Sequence, residues 1–253
     1  METVRPGAVV LALCGAVIYA QAPLTFEVAV VKPAQPGARG GIIRQMPGNQ
    51  RYVANNVPLR LIMTVAYSVT DRQISGGPSW VDTEPFDIDA KAASPRTSDE
   101  LHVMLQHLIE ERFQLKIRHD TKELPVYELV VDKGGPRLTM HDPADLDHPP
   151  MGGSPAGMKG TNVTMNYFAF TLSRILDRSV IDKTALPARY DVSLEFAREG
   201  LGMKQGVADP SAAEGPSIFT ALKEQLGLKL APAKGPVDFL VIEHAEKPPD
   251  NQD

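Results

Sequence analysis

The chain has 253 residues, 43% of them hydrophobic, with 31 acidic against 26 basic side chains and a net charge of −5. This composition excludes wholesale disorder, and the acidic balance leaves no basic face of the kind that nucleic-acid binding needs. The length suits one large or two modest domains, and the 22 prolines call for many turns.

Residues 1–22 read as an export signal. Arg5 supplies the positive start, and the apolar run that follows, "GAVVLALCGAVIYA", is too short to span a bilayer comfortably. Ala20, Gln21 and Ala22 form a small-x-small cleavage site. Cleavage after Ala22 would leave an extracytoplasmic chain, periplasmic or secreted, with no stable membrane span. The single cysteine, Cys14, would leave with the signal. The mature chain would then hold no disulfide, no thiol nucleophile and no thiolate metal site, so its core alone must stabilise it.

In chain order, "FEVAVVKP" alternates as a strand. Leu59, Ile62, Met63 and Ala66 recur at helical spacing behind Pro58. "RQISGGPSW" reads as a short strand ending in a Gly-Gly-Pro turn. "PFDIDAKA" places Phe86, Ile88 and Ala90 on one face of a further strand. A helix capped at Ser98 or Asp99 carries Leu101, Met104, Leu105, Leu108, Ile109 and Phe113 as one apolar stripe. "QLKIRHDT" and "LPVYELVVDK" then read as a hairpin.

Residues 134–160 are rich in Gly, Pro and Asp, lack periodicity and read as a linker. Beyond them the pattern restarts: a helix with Phe168, Leu172, Ile175 and Leu176, the strand "SVIDKT", the strand "YDVSLEF", a loop, a helix and a second hairpin. Leu115-Lys116-Ile117 aligns with Leu228-Lys229-Leu230, and Leu129-Val130-Val131 with Leu240-Val241-Ile242 after a two-residue gap. The expectation is an α+β protein of two related β-α-β-β-α-β-β units, residues 23–133 and 161–248, with small mixed sheets and helices packed on them. Residues 249–253 read as a disordered tail.

"YDVSLEF" with "IFTALKEQLGLKL" and "VDFLVI" is remotely similar to the short N-terminal domain of secretins and TonB-dependent receptors. The ordered segments "FEVAVVKP", "QISGGPSWVD", "FDIDAKA", "ERFQLKIRHDTKELPVYELVVDKGGP", "VIDKTALPARYDVSLEF" and "KGPVDFLVIEHAEKP" together resemble a large family of exported soil-bacterial proteins, abundant in acidobacteria and of unknown function. That resemblance implies a signal peptide and, for some members, a neighbouring membrane-embedded sensor metallopeptidase. It brings no catalytic residues to transfer.

Candidate chemistry is sparse. "HDPADLDH" gathers His141, Asp145, Asp147 and His148, a mixed imidazole and carboxylate set and the best metal candidate. Its spacing matches no defined metal loop, and a polar linker is the plainer reading. His102 and His107 are five apart on a helix, so they share no metal-binding face and read as surface residues. His119 alternates away from its neighbours, and His244 with Glu243 and Glu246 reads as a solvated terminus. No nucleophile elbow, Walker loop or dinucleotide fingerprint is present. Gly-Pro pairs, including Gly235-Pro236, read as element boundaries. Trp80 reads as a core anchor beside its turn, with partner contact as the alternative.

The expected function is a non-catalytic module without a cofactor that docks a protein partner in the cell envelope. Docking would use an open strand edge or the groove between the units. The edge candidates are residues 26–31 and 237–242, with Val237, Phe239 and Val241 on the latter. Two rivals are a metal-dependent extracytoplasmic hydrolase built on His141 and His148, and a ligand-sensing domain serving a membrane peptidase.

Overall fold

The computed structural model describes residues 24–142, 152–154, 157–176, 178–197 and 215–249. The expected signal segment, Asp145, Asp147, His148 and residues 250–253 of the tail lie outside this set.

Alternation of inward and outward side chains builds the first sheet. β1 (Val28–Pro33), β2 (Ile42–Gln45) and β3 (Arg51–Pro58) turn Val31, Tyr52, Ala54 and Val57 into the core. α1 (Leu59–Ala66) follows directly. A 3-10 turn (Asp71–Gln73) leads to β4 (Ile74–Gly76), to the single-turn α2 (Trp80–Thr83) and to β5 (Pro85–Lys91). The sheet order is β1-β5-β3-β2, antiparallel throughout. α3 (Ser98–Arg112) caps on Thr97 rather than on Ser98 or Asp99. Thr97 has Glu100 three residues on, and the Glu100 carboxylate accepts the Thr97 N–H at 2.8 Å to close a capping box.

After α3 comes β6 (Lys116–Val131), then β7 (Thr139–Met140), β8 (Gly152–Ser154), β9 (Gly157–Thr164) and α4 (Met165–Ile175). β10 (Val180–Asp182), β11 (Arg189–Glu195), α5 (Ile218–Leu226) and β12 (Leu228–His244) complete the chain. A second sheet has the order β7-β11-β9-β8. The connectivity of the first sheet thus recurs: β7, β8, β9 and β11 occupy the places of β1, β2, β3 and β5. Small details recur with it. Asn56 and Asn162 both have positive φ, at 54° and 56°. Each donates its backbone N–H to an aspartate on the neighbouring strand, Asp87 at 2.8 Å and Asp191 at 3.2 Å.

The third sheet joins the halves in the order β10-β6-β12-β4. β6 and β12 pair antiparallel along their whole length, from Leu228 opposite Val131 to His244 opposite Lys116. β4, from the first half, adds parallel to β12, with Ile74 opposite Leu240. β10, from the second half, adds parallel to β6, with Val180 opposite Tyr127. The far end of each long strand enters the other half's core. Leu240 and Ile242 pack among Ile62, Leu105 and Phe113, and Leu129 packs among Phe168, Leu172 and Leu222.

Several expectations change here. The two expected hairpins are single strands of 16 and 17 residues. The polar run in the middle of β6 looked like a turn, but much of it faces water, so apolar periodicity fades without the strand ending. Gly235-Pro236 accordingly lies inside β12, and the aligned strands need no two-residue gap. The expected linker 134–160 contains β7, β8 and the start of β9. β2 and β3 were missed because Gly, Asn and Pro dilute their pattern.

Each long strand starts from a left-handed residue, Gln114 at φ 45° and Gly227 at φ 64°. A Cβ on Gly227 would lie 2.1 Å from the Gly135 carbonyl oxygen. Gly227→Ala is expected to lower unfolding free energy by about 1–3 kcal/mol. Gln114→Gly should stay within about 1 kcal/mol of the parent, since relief of left-handed strain offsets added chain entropy. Urea unfolding of both variants measures the contrast.

Candidate functional site

The β6/β12 ribbon has added strands only near its ends, because β4 covers residues 240–242 and β10 covers residues 127–129. Over its middle a cleft of ≈ 610 Å³ opens between the ends of α1 and α4. Leu124, Pro125, Val237 and Phe239 of the two long strands line it. Leu61 and the 69–73 segment form one wall, and Ser173, Arg174, Leu176 and Arg178 form the other.

Both walls are tied to the ribbon. The Gln73 side-chain amide donates to the Asp238 carbonyl at 2.8 Å, and the Gln73 carbonyl oxygen accepts the Thr70 N–H at 2.9 Å. Opposite, the Tyr127 N–H donates to the Ser179 carbonyl at 2.9 Å. Ser173 Oγ accepts the Val180 N–H at 2.7 Å and donates to the Ala169 carbonyl at 2.9 Å, so its hydroxyl is committed to the fold.

Electrostatically the cleft departs from the protein as a whole. Among the described residues, three guanidiniums (Arg72, Arg174 and Arg178) line it beside the Asp71 carboxylate, in a chain of net charge −5. The Arg178 guanidinium carbon stands 4.5 Å from the Tyr127 ring centroid, and that of Arg174 stands 5.9 Å from the Phe170 centroid. Such stacking fixes the guanidinium plane through its face. Lys122 adds its ammonium 4.6 Å from the Phe239 centroid. None of these cations was singled out from the sequence. The recurrence of Asp71-Arg72 as Asp177-Arg178 was the available signal.

An aromatic run continues from this wall between the halves. Phe170 packs on Tyr167 at 5.8 Å, Tyr167 on His102 at 5.6 Å, and His102 on Tyr52 at 6.1 Å. His102 is 5% exposed, which corrects its reading as a surface residue. Its imidazole sits on the inner side of α3, and burial lowers its pKa to about 4 against a small opposing pull from Asp99. The Tyr167 hydroxyl is shifted upward by the same burial.

The other sequence candidates fall in separate places. His141 is 7% exposed and holds β7 to β11, with Nδ1 lying 2.7 Å from Asp191 Oδ1 and its backbone N–H donating to the Arg189 carbonyl. The same Asp191 oxygen receives the Asn162 N–H, so His141 belongs to a structural node and not to a polar linker. Among the described residues no group of three or more His, Cys, Asp or Glu side chains gathers as a metal site. Trp80 is half-buried, stacked on Phe113 at 6.1 Å and edge-on to Phe86 at 6.0 Å. His119 is exposed on β6, and His244 is exposed with Nε2 lying 2.8 Å from Glu246.

The proposed edge at residues 237–242 is corrected. β6 pairs with it on one side, and on the other β4 covers residues 240–242 while Gln73 caps the Asp238 carbonyl. Val237 is buried, Phe239 and Val241 are half-buried, and Val237 and Phe239 serve as cleft lining. The other edge candidate, residues 26–31, includes most of β1, which does lie at a sheet margin. Val28 there is 59% exposed.

A family model described as a protein of unknown function, DUF3738, matches residues 60–245, which run from α1 to the end of β12. The chain belongs to the DUF3738 family. No curated protein and no solved structure matches it. The matched span of the DUF3738 family takes in the whole β6/β12 ribbon and every residue named above as lining the cleft. No helix among the described residues is long and apolar enough to cross a membrane.

His102 links this region to pH. Its folded pKa is below the unfolded value, so the unfolded chain binds more protons between the two. The stability it confers is complete above about pH 6.5 and is lost as pH falls towards 4, by roughly 3 kcal/mol in total. His102→Phe should flatten this part of the profile. Urea midpoints of parent and variant between pH 7 and pH 4 give the difference, and parallel profiles would refute it.

Proposed function

We propose that this protein is an exported, non-catalytic binding module of the cell envelope or extracellular space, and that the cleft over the β6/β12 ribbon is its binding site. The observation that carries the reading is the cleft itself: ≈ 610 Å³, with an apolar floor, cationic walls and both walls pinned to the ribbon. Pockets that hold small ligands or short chain segments span roughly 300–1,000 Å³ and combine an apolar lining with a few fixed polar groups. Binding fits better than turnover because the cleft's Ser173 is engaged in backbone hydrogen bonds and, among the described residues, no histidine or lysine lines the cleft beside it. Export rests on the sequence of residues 1–22. The recurring connectivity supports reading the halves as two copies of one unit, so that the cleft lies where they meet.

The metal-hydrolase alternative has only His141 among the described residues, with Nδ1 against Asp191, while Asp145, Asp147 and His148 lie outside them. A second binding mode has one specific observation in its favour. β1 is an open six-residue sheet edge with Val28 and Val30 exposed, the geometry that an extended peptide of an envelope protein pairs with.

Amide exchange of the signal-free chain, with and without an envelope extract of its host, separates these readings. The expected result is slowing of about tenfold at Gln73, Leu124, Val237 and Phe239. Slowing confined to residues 28–33 would move docking to the β1 edge. Unchanged exchange in both regions would sink the binding reading.

A further inference from the structure

We infer that β1 is a self-association edge: two copies of this chain pair their β1 strands antiparallel about a twofold axis, joining their first sheets into one of eight strands. The inference stands apart from the cleft, and it assigns a second copy to an edge for which an extended peptide would compete.

The other strand margins set the contrast. An open margin offers unpaired N–H and C=O groups to any further strand, and proteins blunt it with short strands, charge, proline or a covering side chain. β4 spans three residues, and Arg60 donates to the Ile74 carbonyl at 2.9 Å and to that of Gly76 at 3.4 Å. β10 also spans three residues, and β2 spans four with the exposed Arg44 among them. The uncovered stretch of β6 carries Lys122, Glu123 and Pro125, and that of β12 carries Pro232, Lys234 and Pro236. β7, which holds the place of β1 in the second sheet, is two residues long. β1 departs from all of these. Its six residues, VAVVKP, keep their one charge and their proline for the last two positions. Its register with β5 runs unbroken from Val28 opposite Lys91 to Pro33 opposite Phe86, whereas the β3/β5 pairing shifts between Ala54 and Val57. A regular, neutral edge is a template for another strand.

Side chains add to this. Val28 and Val30 are both exposed and share one face of β1. Across the ladder they stand opposite Lys91 and Asp89, and Asp89 is held by Arg51 of β3. The outer face of the sheet is therefore charged up to its margin, and the apolar row lies on the outermost strand. A strand added there covers both valines.

Symmetry and charge select the occupant. Antiparallel pairing of β1 with itself is isologous, so one row of valines covers the other and the assembly closes at two copies. Glu27 precedes the strand and Lys32 lies near its end, so reversal sets the acidic end of one copy beside the basic end of the other. Parallel pairing would set Lys32 beside its own copy. A ladder of six residues is small for an interface, so a weak dimer is expected, with Kd on the order of 10–100 μM.

Sedimentation velocity of the signal-free chain between about 1 and 300 μM tests the inference. The expected result is a monomer that converts to a dimer as concentration rises. Val30→Lys should raise the dissociation constant at least about tenfold. Ile42→Lys changes an equally exposed residue, 45% against 44%, at the opposite margin of the same sheet, and should leave the constant unchanged. Thermal unfolding shows whether each variant keeps its fold, and Val28→Lys repeats the test at a more exposed position if Val30→Lys does not. A chain that stays monomeric throughout overturns the inference. So does a dimer that the β1 variants leave intact, or one that Ile42→Lys weakens equally. Slowed exchange at residues 28–33 of a monomeric chain in envelope extract would give the edge to a foreign strand instead. Exchange at the cleft is read separately, so the binding site there stands or falls by itself.

Discussion

The rest of the structure depends on one hydrogen-bonded ladder, the antiparallel pairing of β6 with β12. Each strand leaves a helix of its own half and ends in the core of the other. Removing Leu240 or Ile242 would open a cavity in the first core, although both residues belong to the second half of the sequence. The same holds for Leu129 in reverse. A small sheet carrying two helices buries limited apolar surface by itself. The exchange of strand ends lets two such layers share one stabilising element. Loop closure between the paired strands is correspondingly long, which makes the ladder an entropically expensive contact to form.

The cleft follows from the same ladder. β4 and β10 are three-residue strands that cover opposite ends of the ribbon. Arg60 donates to the Ile74 carbonyl at 2.9 Å and also pairs with Asp82, which closes the outer side of β4 to further strands. What remains is the middle of the ribbon, flanked by α1 and α4 and their following segments. A site formed there draws residues from four separate stretches of chain. Aromatic rings lie against the Arg174 and Arg178 guanidiniums, and the ring run from Phe170 to Tyr52 backs that wall with packed side chains.

His102 shows how context reverses a sequence reading. Its helix has a weak apolar stripe, and an imidazole among Asp99, Gln106 and His107 looks solvated. The second half of the chain covers that face with Tyr167, which no local pattern could announce. His141 behaves likewise: a run of prolines and aspartates disguises a short strand whose partner, β11, lies about fifty residues away.

By itself the sequence determined the α+β class, the helices over residues 59–66, 98–112, 165–175 and 218–226, and the alternating strands at Phe86-Ile88-Ala90 and Tyr190-Val192-Leu194. These are local consequences of hydrophobic period and capping chemistry, and each element carries its own signal. The sequence reads as restarting its pattern after residue 160, but the second sheet already begins before it, with β7, β8 and the start of β9 inside residues 134–160. Tertiary structure decided the rest. Whether a strand folds back as a hairpin or runs on to a distant partner depends on which backbone satisfies its N–H and C=O groups, and that partner is remote in sequence. The pairing of β6 with β12, the crossing of their ends between cores, and the gathering of Arg72, Arg174 and Arg178 around one cleft are all of this kind. They arise from long-range closure, to which a window of local residues is blind.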